Sequence, residues 1–391
     1  MKTLNIGQLQ RAKILVRTPN WIGDAVMCLP ALMELRRVLP EADLILVARP
    51  WVLDVFLAAE LRCRMYAYDT GGQQGGLRGR WRFARQLRQE NCSAAILFQN
   101  AFDAALLATL SGIPVRAGYA RHARRLLLTH PVPVPQIGEI PPHETNYYLE
   151  LLRLLGLIAH LPKVEQIFLP QAESNSAAAR ERLEELLAQQ GSGSTTEPVA
   201  GKANEGLLVG IGAGASFGTA KRWPADRFAE LALRLNRKLG AATIFFGSTQ
   251  EALLVNSLIS KAGDAAFSLA GKTSLREFIR LVPGCDLYVT NDTGTMHIAA
   301  ALGVPTLAIF GPTDEHGTRP LGPFVHVMTG TAPCRPCKLR HCPIDHRCMT
   351  SISVDAVFQA AQLLLSGSDK PTNEFAREAQ SHKANQQANS R

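Results

Sequence analysis

The chain has 391 residues, of which 46% are hydrophobic and 19% charged, and its formal net charge is +9. This length is enough for two domains with a core each, and the composition is typical of a globular protein rather than a disordered one. No uninterrupted apolar run reaches the roughly 18 residues that a membrane-spanning helix needs. The first ten residues lack the apolar segment of a signal peptide, so we expect a cytoplasmic protein whose eight cysteines are mostly reduced thiols.

The first half alternates between apolar runs and helical patterns. Lys13–Thr18 predicts a buried strand, which is followed by a loop carrying Asp24, a helix to about Val38 and a second strand at Asp43–Ala48. Pro30 is expected in the first turn of that helix, because an interior proline costs about 3 kcal/mol. Asp24 would then lie beyond the carboxyl end of the first strand, at the edge where parallel α/β sheets bind ligands.

Further strands are predicted near Met65–Tyr68, Ala94–Phe98 and Ile113–Tyr119, with helices from Trp81, at Phe102–Leu110 and at His143–Leu155. The glycine-rich Gly71–Arg80 is predicted to be a mobile loop, of the kind that orders over a substrate.

Arginines form two clusters in this half. The first contains Arg78, Arg80, Arg82, Arg85 and Arg88, and the second contains Arg116, Arg121, Arg124 and Arg125. Most charge runs are solvated faces, but these could also meet an anionic partner, either phosphorylated lipid headgroups or nucleic acid. Charge alone does not choose between these interpretations.

A second alternation of strands and helices begins at Leu207, with predicted strands at Leu207–Gly212, Ala241–Phe246 and Phe267–Leu269. The layout predicts an α/β fold of two Rossmann-like domains facing across a cleft. We assign residues 1–170 to an N-terminal Rossmann-like domain, 171–206 to a charged helix with a flexible linker or insertion, 207–365 to a C-terminal Rossmann-like domain, and 366–391 to a disordered polar tail.

The stretch Asp286–Thr313 predicts a strand, a tight turn, a helix and another strand. Asp292 or Thr293 can cap the helix, and Gly294 lets a ligand approach the first-turn amides at the positive end of the helix dipole, which favours phosphate. The plainer interpretation is an ordinary capped helix with a buried core histidine at His297. Upstream, Lys221 follows a glycine-punctuated loop that offers Ser216, so it is suited to neutralise a diphosphate, although a lone lysine is more often a surface residue.

Four motifs carry a resemblance to a known family. They are NDTGTMHIAAALGVPTLAIFGPT at Asn291–Thr313, FGTAKRWP at Phe217–Pro224, PNWIGDAVM at Pro19–Met27 and HETNYYLELL at His143–Leu152. Together they resemble glycosyltransferase family 9, the ADP-heptose:lipopolysaccharide heptosyltransferases, and most closely its members that add the second heptose. The resemblance implies a GT-B fold, an ADP-heptose donor and an acceptor in the inner core of lipid A-linked lipopolysaccharide. It also implies that residues 1–170 form the acceptor-binding domain and residues 207–365 the nucleotide-sugar (donor) binding domain.

The resemblance also implies roles for individual residues. Asp24 would be the catalytic acid or base. Contacts to the donor are implied for Ser216 and Lys221 (diphosphate), Glu251 (ribose), Asp292 (heptose) and Thr293, Gly294 and His297 (the phosphate end). Phe217 stands where other members offer a second hydroxyl. We expect Arg121, Arg124 and Arg125 to meet the anionic acceptor.

Cys334, Cys337, Cys342 and Cys348 invite a zinc interpretation, but they lack two C-x2-C pairs separated by a long loop. Reduced structural cysteines are therefore the default, and we predict that no metal or other cofactor is required.

The sequence thus predicts an inverting heptosyltransferase that works at the inner face of the inner membrane and binds no nucleic acid. One alternative is another nucleotide-sugar transferase or an epimerase of the same fold, and an epimerase would act on the nucleotide sugar alone. The other is a basic nucleic-acid-binding protein with a zinc module, which would show steeply salt-dependent binding and leave the Lys221 and Asp292 loops without a role.

Overall fold

The computed structural model describes residues 2–170, 176–191 and 206–366. Contacts divide the chain into two compact units. The first comprises Met1–Leu169 with Asp314–Leu321, and the second comprises the described parts of Pro170–Thr313 and Gly322–Arg391. The sequence analysis did not foresee that Asp314–Leu321 lies with the first unit. Within the predicted charged helix and linker at 171–206, residues 171–175 and 192–205 lie outside the described residues, as does the part of the predicted tail (366–391) beyond residue 366.

The first unit contains a six-stranded, wholly parallel sheet of order β3-β2-β1-β4-β5-β6. Its strands are β1 Lys13–Arg17, β2 Asp43–Ala48, β3 Cys63–Ala67, β4 Ala94–Leu97, β5 Val115–Tyr119 and β6 His130–Val132. Its helices are α1 Ile6–Leu9, α2 Ile22–Val38, α3 Leu53–Ala58, α4 Gly76–Gln89, α5 Phe102–Leu110 and α6 Glu144–Leu154. The central strands β1, β2 and β4 are almost entirely buried, which explains their continuous apolar sequences.

The second unit repeats this architecture with the order β12-β11-β10-β7-β8-β9, again all parallel. Its strands are β7 Leu208–Gly212, β8 Ala242–Phe246, β9 Ala266–Ser268, β10 Leu287–Asn291, β11 Thr306–Phe310 and β12 Val325–Thr329. Its helices are α7 Ser176–Gly191, α8 Ala225–Leu239, α9 Ala252–Ala262, α10 Leu275–Leu281, α11 Gly294–Ala301, α13 Arg347–Thr350 and α14 Val354–Leu365, while α12 Glu315–Thr318 belongs to the first unit.

In each unit the chain starts in the middle of the sheet and reverses its winding direction there. The reversal lies between β1 and β4 in the first unit and between β7 and β10 in the second. Open parallel sheets bind ligands beyond the carboxyl ends of the strands at such a switch point. The structure confirms the predicted α/β class with two Rossmann-like units.

Two local predictions were wrong. Pro30 lies inside α2 rather than in its first turn, and Asp24 lies in that first turn rather than in a loop. The helix tolerates the proline because Ala25–Leu29 on one side of it and Leu32 and Leu35 on the other are buried. Packing of these side chains outweighs the roughly 3 kcal/mol that an interior proline costs.

The predicted mobile loop at Gly71–Arg80 is also partly helical, because α4 begins at Gly76. Gly79 is a packing residue, since a Cβ at this position would lie 2.8 Å from the Cα of Gln74. The glycine therefore allows a helix to touch the preceding turn, where the sequence pattern had indicated flexibility.

Candidate functional site

A buried asparagine fixes the loop that follows β7 in the second unit. Asn291 ends β10, and its side-chain amide donates hydrogen bonds to the carbonyls of Ala213 (2.8 Å) and Gly214 (3.2 Å). The same side chain accepts a hydrogen bond from the backbone amide of Trp223 at 2.9 Å. Both ends of the segment that carries Lys221 are thereby anchored to the switch point between β7 and β10.

Lys221 and Asp292 form an ion pair at this switch point. The Lys221 ammonium lies 2.6 Å from a carboxylate oxygen of Asp292, and the two side chains are only 13% and 5% exposed. The Thr313 hydroxyl donates a hydrogen bond of 2.5 Å to the same carboxylate. The structure therefore brings together two of the predicted donor-binding residues, in an environment shielded enough for charge to have a strong effect.

The amino-terminal end of α11 lies directly after Asp292. Thr293 occupies the N-cap position, yet its side chain makes no capping hydrogen bond and instead places its hydroxyl 2.8 Å from that of Thr295. Gly294 begins the helix, and His297 is buried in its first turn. Because the Thr293 side chain does not cap the first-turn amides, this end of the helix keeps the features of an anion site.

Glu251 and Ser216 border the same loop in different ways. The Glu251 carboxylate accepts hydrogen bonds from the amide (2.8 Å) and hydroxyl (2.9 Å) of Ser248, which completes a capping box before α9. A Cβ on Gly214 would lie 1.7 Å from the same carboxylate, so only glycine lets the loop pass so close to Glu251. Ser216 is exposed on the loop.

Sequence reasoning missed a second cation at this loop. The guanidinium of Arg340 lies 4.9 Å from the centre of the Phe217 ring, and the Lys221 ammonium lies 5.0 Å from it. The Arg340 carbonyl accepts a hydrogen bond of 3.0 Å from the amide of Ala220. A Cβ on Gly218 would collide with the same carbonyl, so glycine is required for this close approach. No local pattern marks Arg340, because the sequence of its segment is distinguished mainly by its cysteines.

The cysteine segment itself packs against these loops. Cys348 is buried, while Cys334 and Cys337 are exposed. Burial raises the pKa of the Cys348 thiol, and the nearby thiols of Cys334, Cys337 and Cys342 raise it further. Within the described residues, no three His, Cys, Asp or Glu side chains converge in an arrangement that could hold a metal ion.

In the first unit, Asp24 shares its surroundings with a second carboxyl group. Glu144 is the first residue of α6, which packs against α2. Burial raises the pKa of Glu144 to about 7, the charge of Asp24 adds to the rise, and Arg121 opposes it. Sequence reasoning missed Glu144 as a functional candidate, although it follows His143 in one of the motifs.

The three arginines proposed for acceptor binding differ in their positions. Arg121 and Arg125 are exposed, whereas Arg124 is fully buried. The Arg124 guanidinium donates to the Tyr119 carbonyl at 2.7 Å and to the Asn100 side chain at 2.9 Å, and burial lowers its pKa to about 10. Arg124 therefore stabilises this loop. Of the three arginines, only Arg121 and Arg125 are exposed enough to contact an acceptor directly.

Comparison with known proteins identifies the family of this chain. The model of glycosyltransferase family 9 (heptosyltransferase) matches residues 80–347. Lipooligosaccharide heptosyltransferase 2 of Haemophilus influenzae is 28% identical over 79% of this chain and 86% of its own length. Lipopolysaccharide heptosyltransferase 2 of Escherichia coli is 29% identical over 81% of this chain and 87% of its own length.

The structure of E. coli ADP-heptose LPS heptosyltransferase II superposes with a TM-score of 0.71 and 25% identity, and the match covers 92% of this chain and all of that one. This agreement confirms the GT-B fold. None of the helices among the described residues is long and apolar enough to cross a membrane. The family match spans more than half of the chain and includes the Lys221 and Asp292 loops, and the chain therefore belongs to glycosyltransferase family 9, the heptosyltransferases.

Proposed function

We propose that this chain transfers L-glycero-D-manno-heptose from ADP-heptose onto the heptose/Kdo inner core of lipopolysaccharide, where it adds the second heptose. Family membership and the names of its relatives support this function. The observation that carries the proposal is the shielded pair of Lys221 and Asp292 beside the uncapped end of α11. A cation, a carboxylate and the amide end of a helix in one place match the diphosphate and the sugar hydroxyls of a nucleotide-sugar donor.

In this proposal the second unit binds the donor. Lys221 and Ser216 contact the diphosphate, with Thr293, Gly294 and His297 at its phosphate end. Asp292 accepts hydrogen bonds from heptose hydroxyls, and Glu251 contacts the ribose. Donor binding replaces the Lys221–Asp292 ion pair with contacts between Lys221 and phosphate. The loss of that ion pair offsets part of the binding free energy that the new contacts provide.

The chemical step is a single displacement at the anomeric carbon. An acceptor hydroxyl oxygen forms a bond to that carbon as the bond from the carbon to the phosphate oxygen of ADP breaks. Asp24 takes the hydroxyl proton, and the bonding electron pair leaves with ADP, where Lys221 and the α11 amides balance the developing charge. The β-configured donor then yields an α-linked product.

We propose that no divalent cation takes part, since Lys221 and the helix dipole supply positive charge at the leaving group. The acceptor is anchored by lipid A, so the enzyme would work peripherally at the inner face of the inner membrane. Arg121 and Arg125 are the exposed cations that we propose for its phosphorylated core.

The function is tested by incubating the purified protein with ADP-heptose and core acceptors that lack either the first or the second heptose, followed by mass spectrometry. We expect one added heptose on the acceptor that already bears the first, and release of ADP. Transfer to the other acceptor alone would reassign the substrate. Conversion of the nucleotide sugar without acceptor would instead indicate an epimerase.

A further inference from the structure

One surface of α4 combines positive charge with exposed apolar side chains. Five of its residues form this outer α4 face, which we define as Leu77, Arg78, Trp81, Arg82 and Arg85. All five are exposed, with Leu77 at 82% and Trp81 at 55%. Large apolar side chains with this exposure lose hydrophobic stabilisation unless a partner covers them.

The opposite side of α4 fixes the orientation of this face. Phe83, Ala84 and Leu87 are buried in the core of the first unit. Arg80 points away from the outer face and pairs with Asp103 at 2.6 Å. Rotation of the helix would expose this core, so the outer α4 face is directed to the outside permanently.

The charge of the face is uncompensated. The helix sequence GLRGRWRFARQLRQ contains no acidic residue. In the part of the chain that the structure describes, Arg78, Arg82 and Arg85 have no carboxylate within ion-pair distance, in contrast to Arg80. The guanidinium of Arg85 instead lies 4.9 Å from the centre of the Trp81 ring, so cation and indole are presented together.

Exposed tryptophan, leucine and arginine on one helix face suit a particular kind of partner. Indole rings favour the headgroup level of a bilayer, leucine enters the acyl boundary, and arginines attract anionic headgroups. A second copy of the same face would bring like charges together, which disfavours self-association. RNA would match the arginines, but it offers nothing apolar for Leu77.

We propose that the outer α4 face docks the enzyme reversibly on a bilayer surface that contains anionic phospholipid. The inference rests on the proposed function, because a lipid-anchored acceptor requires the enzyme to work at a membrane. The contact involves one helix only, and none of its residues is among those that we propose for catalysis or substrate binding. It therefore raises the local concentration of enzyme at its substrate without entering the reaction.

The test measures binding of the full chain to acceptor-free vesicles of phosphatidylcholine, with and without phosphatidylglycerol, by co-sedimentation. Each arginine near an anionic surface contributes roughly fivefold to binding, so Arg78→Gln/Arg82→Gln/Arg85→Gln is expected to lose about 100-fold. Leu77→Ser/Trp81→Ser should also bind weakly, and a vesicle-induced blue shift of tryptophan fluorescence should be present in the parent protein and absent from this variant. Equal thermal unfolding midpoints would show that the variants remain folded.

A matched control removes the same charge elsewhere. Arg237, Lys238 and Arg280 are exposed on the second unit, and their triple glutamine variant should bind vesicles as the parent protein does. An equal loss in this control would overturn the proposal, because net charge rather than the outer α4 face would then govern binding. Unchanged vesicle binding in the α4 variants would overturn it as well. So would a result in which these variants lose binding to single-stranded RNA but keep binding to vesicles.

Activity assays separate this inference from the proposed function. With a deacylated, water-soluble acceptor, the α4 variants should transfer heptose at the parent rate, whereas transfer to the same core embedded in anionic vesicles should fall. Absence of transfer by the parent protein in both assays would refute the function and leave the vesicle-binding result intact. Equal losses with both acceptors would refute the docking role.

Discussion

The Lys221 ammonium lies 2.6 Å from the Asp292 carboxylate, although 70 residues separate them in the chain. Removing either partner leaves a shielded charge without its counterion, so a single substitution confounds structural and functional roles. A double substitution separates them, because it removes both charges at once.

The first prediction concerns donor affinity. Lys221→Ala should raise the dissociation constant for the donor by roughly 10- to 100-fold and lower turnover, since a charge-assisted contact contributes about 1.5–3 kcal/mol. Calorimetric titration with ADP-heptose measures the constant, and Lys272→Ala, at an exposed lysine of the same unit, is the control. If Lys221 only neutralises Asp292, then Lys221→Ala/Asp292→Asn would restore affinity and the unfolding midpoint together.

The second prediction identifies the base. Asp24→Asn should fold, bind the donor normally and lose roughly 10²- to 10⁴-fold in turnover. The amide occupies nearly the same volume but cannot accept the acceptor proton. Asp24 is in the first turn of α2, so loss of its charge should also cost stability, by about 0.3–1 kcal/mol. Near-normal turnover in rapid-quench assays would leave only this helix-stabilising role.

The third prediction concerns pH and Glu144, whose pKa is raised from 4.5 to about 7. The folded protein favours the neutral carboxyl, so this contribution to stability is fully present below about pH 4.5 and is lost as the pH rises through about 7. The free energy of unfolding of Glu144→Gln, relative to that of the parent, should therefore increase by about 1–3 kcal/mol as the pH rises from 5 to 8. Urea unfolding at both pH values measures the difference, and a pH-independent offset would contradict it.

The same substitution tests whether Glu144 acts through Asp24. Ionisation of Glu144 places a second negative charge near Asp24 and should raise its proton affinity. The parent pH profile of kcat/KM should then inflect near 7, and the inflection should disappear in Glu144→Gln. An unchanged profile would assign that inflection to another group.

The fourth prediction separates the neighbouring arginines. Arg121→Glu/Arg125→Glu should weaken acceptor binding, more strongly at low salt, and leave donor affinity unchanged. Arg124→Ala should lower the unfolding midpoint instead, because buried carbonyls lose their donor. Equal losses of donor and acceptor affinity in the double variant would indicate damage to the fold.

The fifth prediction concerns metal. Activity should survive exhaustive treatment with EDTA, and elemental analysis should find no stoichiometric zinc or iron. Loss of activity that magnesium restores would contradict the proposed role of Lys221 at the leaving group. A tightly held metal that leaves activity intact would assign a structural site to Cys334–Cys348.

Most of the sheet architecture was predictable because buried parallel strands have continuous apolar sequences. The edge strands β6 and β12 were missed, since their side chains are only partly buried and one contains Pro131. At Pro30, packing prevailed over local preference. For the site residues, the sequence predicted which loops carry them and which residue types they are. The burial of Arg124 and the position of Arg340 beside Phe217 depend on contacts that no local pattern encodes.

Both units position their candidate residues at the point where the winding of the sheet reverses, between β1 and β4 and between β7 and β10. That point is created by strand order, which distant sequences can share. We therefore expect each half to behave as an exchangeable module: grafting a new segment after β7 should alter nucleotide preference and leave the proposed base, Asp24, unchanged in the other unit.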